Sequence, residues 1–240
     1  MVKLERITGL PIKFDRDNYS LVFDEDQIRV SKVRRYKIRN LRPYVLNREL
    51  KYPIDVYLTY SNIAKGQTNN LSLDITIIPP NLLGIEYVKT VPKKVPERKG
   101  KFRIVHTLYG SATLLIQDRE DQDAKVYLTR LEAKNFLMIP AGYYYNFVNT
   151  RSTPLLIAEY YAKNLEHAAS LKKMKGMGYY VISKNAKQEI VKNPHYKQLE
   201  KITKMKYSLF NKEFWGDNDK FPSSIVEMCS KKNKLSKIIT

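Results

Sequence analysis

Apolar and polar residues alternate in many short runs through the middle of the chain, and turns rich in Pro, Gly, Asn and Asp separate the runs. Alternation with a period of two is typical of strands that bury one face. The predicted strands are 71–78, 86–91, 102–108, 111–117, 125–131, 136–140, 146–149, 154–161 and 179–183. Because no helical periodicity lies between them, they predict an all-β core built as an antiparallel double-sheet barrel.

The two ends of the chain differ from this middle part. Residues 1–65 mix apolar alternation with turn signals and contain the densest run of basic residues. The last 55 residues are rich in Lys and aromatic side chains, and one or two helices are predicted around 195–214. We therefore predict a basic N-terminal extension packed on the barrel (1–65), the barrel (66–185) and a basic, partly helical C-terminal extension (186–240).

The composition allows a folded core and gives the chain a strong positive charge. Hydrophobic residues make up 43% of the 240 positions, and 43 Lys and Arg against 24 Asp and Glu leave a net charge of +19. Such a charge favours polyanions, namely nucleic acid, an anionic membrane surface or phosphorylated metabolites. No basic amphipathic helix or lipidation motif supports the membrane, so nucleic acid is the favoured partner.

The cysteine content and the first residues indicate the compartment. Cys229 is the single cysteine, which excludes an intramolecular disulfide and a Cys-rich metal cluster. The first twenty residues carry charges throughout and lack the apolar segment of a leader, and no stretch of the chain is long and apolar enough to span a membrane. We expect a soluble, cytoplasmic protein.

Five stretches of the barrel region carry a family pattern: 73–90, 108–117, 138–150, 154–162 and 175–182. In their order and composition they resemble the archaeal cupin-type glucose-6-phosphate isomerases, which belong to the cupin superfamily. Within them, Pro140, Gly142 and Asn149 keep the spacing of the second cupin motif. The resemblance implies that the all-β core is a cupin double-stranded β-helix, a jelly-roll barrel.

The metal-ligand positions of that family hold other residues in this chain. Tyr145 replaces the His of the second motif, Arg103 replaces the Glu of the first, and the H-x-H pair falls on 92–96, with Lys93 and Lys94. The family enzymes use a divalent metal to hold and polarise the open-chain sugar, and Lys, Arg and Tyr do not supply that ligand chemistry. We therefore expect no metal, no cofactor and no catalysis, that is, a pseudoenzyme.

Four residues match the family's sugar-phosphate pocket, namely Thr76, Thr90, Tyr161 and His167, and they adjoin the replaced ligand positions. The resemblance implies a vestigial pocket, and its residues are Thr76, Thr90, Arg103, Tyr145, Glu159, Tyr161 and His167. Because Arg103 takes the place of an inward-pointing Glu and Glu159 shares the face of Tyr161, we predict a buried ion pair between Arg103 and Glu159, with Tyr145 in the same network. His106 lies three residues after Arg103 and should point to the opposite face.

Basic residues concentrate in clusters outside the predicted hydrophobic strand faces. Eight of them lie between Arg29 and Arg48 without one acid, and a second cluster lies in 89–103, where a basic loop is predicted in place of the metal-binding hairpin. The predicted nucleic-acid-binding residues are Arg29, Lys32, Arg34, Arg35, Lys37, Arg39, Arg42, Lys93, Lys94, Arg98, Lys99, Lys101, Lys172, Lys173, Lys175, Lys231, Lys232 and Lys234. Since no known RNA- or DNA-binding motif accompanies them, they indicate a polyanion without a sequence preference.

Two functions fit these observations. In the first, a non-catalytic cupin binds structured RNA as a ribosome-associated or ribosomal accessory protein on rRNA. In the second, a sugar-phosphate-binding cupin or phosphosugar isomerase with an atypical site uses the charge to attract its substrate. Charge spread over both ends of the chain exceeds what a pocket mouth needs, so we favour the first. DNA binding stays open, as does a homodimer formed through the barrel outside a larger assembly.

Overall fold

The computed structural model describes residues 1–65, 71–97, 102–162, 168–169 and 171–215. Within them the chain is mostly β, with three short helices, α1 (Glu5–Thr8), α2 (Ile38–Leu41) and α3 (Tyr207–Trp215), and a 3-10 turn at Arg42–Tyr44. None of these helices has the length and apolar character that a membrane span needs.

The strands alternate with short turns along the whole described chain. In chain order they are β1 (Val2–Lys3), β2 (Lys13–Asp15), β3 (Ser20–Val22), β4 (Ile28–Lys37), β5 (Asp55–Lys65), β6 (Leu71–Ile78), β7 (Leu82–Leu83), β8 (Glu86–Tyr87), β9 (Lys93–Lys94), β10 (Phe102–Tyr109), β11 (Ser111–Gln117), β12 (Val126–Glu132), β13 (Phe136–Pro140), β14 (Tyr144–Val148), β15 (Leu155–Ala162), β16 (Ala168–Ala169), β17 (Tyr179–Lys184), β18 (Lys187–Lys192) and β19 (Thr203–Lys204).

Two six-stranded sheets form the centre of the fold. The first sheet is antiparallel and has the order β13-β10-β15-β6-β5-β4, which leaves β4 at an edge. The second has the order β16-β9-β14-β11-β12-β19. In the described residues the sheets remain separate hydrogen-bonded units and do not close into one barrel. This arrangement confirms the predicted all-β, double-sheet architecture.

The apolar side chains form three clusters, one between the sheets and one on each outer face. The central cluster joins residues such as Val105 and Ile157 of the first sheet to Leu114 and Phe147 of the second. The outer face of the first sheet packs against the N-terminal strands, and that of the second packs against the region 171–199. Strands therefore bury both faces, which explains why their apolar runs are nearly continuous.

Most strand predictions agree with the structure. The predicted strands 71–78, 111–117 and 136–140 have the observed bounds, whereas the predicted 86–91 is a strand only at Glu86–Tyr87. The division into three parts stays a prediction, but β4 and β5 hydrogen-bond into the first sheet and so contribute to the core architecture.

Candidate functional site

Four polar side chains from both sheets meet in the apolar space between them. Arg103 on β10 and Glu159 on β15 lie on the same face of the first sheet, because Val105 is paired directly with Glu159 and Arg103 is two residues away. On the second sheet, Lys93 of β9 is paired directly with Tyr145 of β14. All of these side chains except Lys93, which is 6% exposed, are fully buried.

Glu159 is the centre of this network. The Tyr145 hydroxyl donates a hydrogen bond to its Oε1 at 2.6 Å, Arg103 Nη1 lies 3.8 Å from the same oxygen, and the Lys93 ammonium pairs with Oε2. The Arg103 guanidinium also lies 4.2 Å from the centre of the Tyr161 ring. The predicted contact of Arg103, Glu159 and Tyr145 is confirmed, and the structure adds Lys93, which the sequence interpretation had placed elsewhere.

Burial determines the protonation of the phenol in this network. It raises the pKa of Tyr145 well above the ordinary value, an effect that the nearby Arg103 opposes and the carboxylate of Glu159 reinforces. Tyr145 therefore remains a neutral donor to Glu159. The arrangement brings two buried cations to Glu159, with the buried carboxylate of Asp74 paired directly beside it on β6, and each charge would be costly without the others.

This donor set does not fit a divalent metal. The family's ligand positions hold Lys93, Lys94, Arg103 and Tyr145, of which three are cationic and the fourth is a protonated phenol. The two oxygens of Glu159 already serve Tyr145, Arg103 and Lys93, and the adjacent Asp74 accepts hydrogen bonds from Tyr161 and the Asn62 backbone. No group of three His, Cys, Asp or Glu suited to a metal occurs among the described residues.

We expect purified protein to take up no stoichiometric divalent metal, because any ion in this space would face Arg103 and Lys93. The measurement is elemental analysis after incubation with Fe, Mn, Ni or Zn and removal of excess ion, together with a coupled glucose-6-phosphate isomerase assay. One equivalent of metal whose uptake is lost in Glu159→Gln would contradict this expectation.

The retained threonines of the family pocket are engaged with the protein itself. Thr76 shares a hydrogen bond of 3.1 Å with Thr59, and Thr90 accepts one of 3.1 Å from the backbone N–H of Phe147. Both threonines are completely buried. Tyr161 donates to Asp74 at 2.9 Å. The predicted pocket residue His167 lies outside the described residues, and whether a sugar phosphate binds stays untested.

The edge strand β4 carries the largest exposed basic group of the described chain. Its basic side chains are all exposed, and they are Arg29, Lys32, Arg34, Arg35 and Lys37. Strand alternation divides them between the two faces of β4. Lys32 and Arg34 lie on one face and line a pocket with Tyr36, whereas Arg29, Arg35 and Lys37 lie on the other face. Arg39 and Arg42 follow and are exposed. Within the described residues, none of these seven cations has an acidic partner in an ion pair.

Two residues of the second basic segment form a short strand where a loop was predicted. Lys93 and Lys94 form β9 between β14 and β16, and the alternation of a strand turns Lys93 inward to Glu159. The ammonium of Lys93 is thus held in a buried ion pair at the edge of a pocket, and its contact with nucleic acid stays a prediction. Lys94 is partly exposed and pairs with Glu97. The predicted residues Arg98, Lys99, Lys101, Lys231, Lys232 and Lys234 lie outside the described residues.

The third basic segment approaches the first. Lys172 and Lys173 are exposed and Lys175 is partly exposed. Lys172 lines the same pocket, of about 370 Å³, as Lys32 and Arg34 of β4. This convergence was not predicted, since about 140 residues separate the segments and no local pattern connects them.

Comparison with known proteins identifies the family. The family described as glucose-6-phosphate isomerase (GPI) matches residues 44–198. No curated protein sequence matches the chain. Among solved structures it is similar to Peruvianin-I, a cysteine peptidase from Thevetia peruviana latex (17% identity, 42% of this chain and 56% of that one, TM-score 0.35), and to an oxalate oxidase in complex with glycolate (17%, 41% and 45%, 0.34).

The cupin domain of Schizosaccharomyces pombe Cnp3 is a further similar structure (12% identity, 50% of this chain and 69% of that one, TM-score 0.32). The chain spans about half the length of the first two structures. The family match covers more than half of the chain, so the protein belongs to the glucose-6-phosphate isomerase family.

Proposed function

We propose that this protein is a non-catalytic, metal-free member of its family that binds structured RNA and associates with the ribosome. The observation that carries the proposal is the exposed basic surface of β4 with Arg39 and Arg42, whose seven cations have no acidic ion-pair partner among the described residues. Lys and Arg side chains that neutralise phosphates release counterions, which supplies affinity for any nucleic acid.

Protection of a sheet edge is the other physical reason for basic residues on β4. A few charged side chains suffice to prevent edge-to-edge pairing. Here five cations occupy one ten-residue strand, and two more continue the surface beyond it. A charge of this size would repel neighbouring cations unless anions lie against it, so it supports phosphate binding.

The filled space between the sheets supports the absence of catalysis. Arg103, Lys93 and Tyr145 converge on Glu159 where the family would hold its metal. The chain therefore retains the scaffold of the family without the group that holds and polarises an open-chain sugar.

The test is charge reversal on β4. The triple variant Arg29→Glu, Arg35→Glu, Lys37→Glu is expected to bind rRNA fragments at least about a hundredfold more weakly in 100 mM salt, and the slope of log K against log salt should fall by roughly 2 to 3. The loss should be similar for all RNA sequences, because phosphate contacts position a protein without reading bases. Binding is measured by fluorescence anisotropy, and ribosome association by sedimentation.

The matched control is Lys3→Glu, Arg6→Glu, Lys13→Glu, which changes the charge equally at exposed positions of the N-terminal strands and α1. It should keep most of the affinity. Equal losses in both variants would show a response to net charge alone, and no association of the wild type with rRNA or ribosomes at low salt would refute the proposal. Tighter binding to duplex DNA than to RNA would indicate that DNA, and not RNA, is the partner.

Family membership favours one second candidate, which is phosphosugar binding. It predicts saturable binding of glucose 6-phosphate that is weakened by Tyr161→Phe. The internal hydrogen bonds of Thr76 and Thr90 make this candidate the weaker one. Calorimetric titration with glucose 6-phosphate distinguishes the two functions.

A further inference from the structure

The pocket beside β4 combines three exposed cations and the buried Lys93 with flat and amide side chains. Lys32 and Arg34 come from β4 and Lys172 from the distant basic segment, and none of the three has an ion-pair partner among the described residues. One carboxylate, Asp74, also lines the pocket, and it already accepts hydrogen bonds from the Asn62 backbone and from side chains on β5 and β15. The pocket thus has an excess of positive charge.

The pocket is larger than a site for a single phosphate group has to be. Its volume of about 370 Å³ lies within the range of roughly 300–1,000 Å³ that is typical of small-molecule sites. Tyr36 is held by stacking on Tyr57, with ring centres 4.2 Å apart and planes at 13°, so it presents a flat group in a fixed orientation. Asn40 uses its side-chain oxygen to accept the backbone N–H of Lys37, which directs its amide into the same lining.

The pocket combines residues from outside and inside the family match. Lys32, Arg34, Tyr36 and Asn40 precede residue 44, where the match to the isomerase family begins, whereas the rest of the lining, which includes Lys172 and Tyr161, lies within it. Thr76 of the resembling phosphate site lies behind this lining, because its hydroxyl is bonded to that of Thr59, which lines the pocket. The side chains of β4 therefore add two cations and a flat group to a cavity whose other walls belong to the family region.

From this arrangement we propose that the pocket binds one unpaired nucleotide of the RNA, which rests on the proposed RNA-binding function. The phosphate pairs with Lys32, Arg34 and Lys172, and the base stacks on the guanidinium of Arg34 or the ring of Tyr36, as unpaired RNA bases do on such groups. Arg29 and Lys37 lie on the other face of β4 by strand alternation and contact phosphates outside the pocket. The protein thereby prefers RNA helices that contain a bulged nucleotide.

The experiment compares two RNA hairpins of identical stem, one fully paired and one with a single bulged adenosine, by fluorescence anisotropy with the full chain. Wild type is expected to bind the bulged hairpin about tenfold more tightly. The pocket variant Lys32→Ala, Arg34→Ala, Lys172→Ala should bind both hairpins equally. The matched variant Arg29→Ala, Arg35→Ala, Lys37→Ala should weaken both and keep the tenfold preference.

Three outcomes would overturn the inference and are distinguishable from failure of the proposed function. RNA binding without a preference for the bulge would remove the nucleotide pocket and leave RNA binding intact. A preference that persists in the pocket variant and in Lys172→Ala would place the bulge elsewhere. Displacement of the bulged hairpin by AMP or glucose 6-phosphate at equal concentration would identify a metabolite site. If neither hairpin binds at low salt, both the proposed RNA-binding function and the nucleotide pocket are refuted.

Discussion

Glu159→Gln is expected to lower the free energy of unfolding by about 3–5 kcal/mol, as is typical when one member of a buried charge network is removed. The glutamine has nearly the shape of the glutamate but no charge, so Arg103 and Lys93 would lose the carboxylate that they share. The Tyr145 hydroxyl would also lose a charged acceptor. Urea denaturation followed by circular dichroism measures the change.

Glu97→Gln is the matched control, because Glu97 also pairs with a lysine, Lys94, but is 70% exposed. It should change stability little, since exposed ion pairs contribute little. The variant Lys93→Met, Arg103→Met, Glu159→Met should recover much of the loss, because the two cations and the carboxylate that they share are then removed together. If Glu159→Gln is as stable as wild type, the network does not stabilise this fold.

The ion network could be predicted in part because it depends on the period of a strand. Arg103 and Glu159 lie on long strands, where alternation fixes the inward face whatever side chain occupies the position. Lys93 was missed for a physical reason. Its two-residue strand is preceded by Pro92 and closely followed by Pro96, and it exists only through pairing with β14 and β16, which are far away in the sequence.

The basic surface shows the same division between local and long-range information. The run of cations on β4 is visible in the sequence, and their exposure follows from their charge. Their place on a sheet edge, beside Lys172, depends on the pairing of β4 with β5 and on the path of the chain after β15. The sequence alone therefore indicated a polyanion as the partner, whereas the pocket could be recognised only in the folded structure.

The position of His106 also follows from strand alternation, and its burial predicts that the stability of the fold depends on pH. The structure confirms that it lies on the face opposite Arg103, since Ile104 and Leu108 of the same strand pack in the outer cluster while Val105 packs between the sheets. Burial lowers the pKa of His106 from 6.5 to about 4, an effect that its hydrogen bond to the Lys134 backbone only partly opposes. The folded protein thus holds a neutral imidazole.

A folded-state pKa below the unfolded value means that the unfolded chain binds the proton first as the pH falls. The stabilisation by neutral His106 is complete above pH 6.5 and is lost between pH 6.5 and 4, with a cost of about 2 kcal/mol at pH 5 and about 3 kcal/mol at pH 4 and below. As the pH falls, the free energy of unfolding of His106→Gln should decrease less than that of wild type, by about 2 kcal/mol at pH 5 and about 3 kcal/mol at pH 4. His195→Gln changes an exposed position and should lose as much stability as wild type. Urea denaturation of the three proteins at half-unit pH steps measures the difference. Parallel pH profiles for wild type and His106→Gln would show that this buried histidine does not control acid stability.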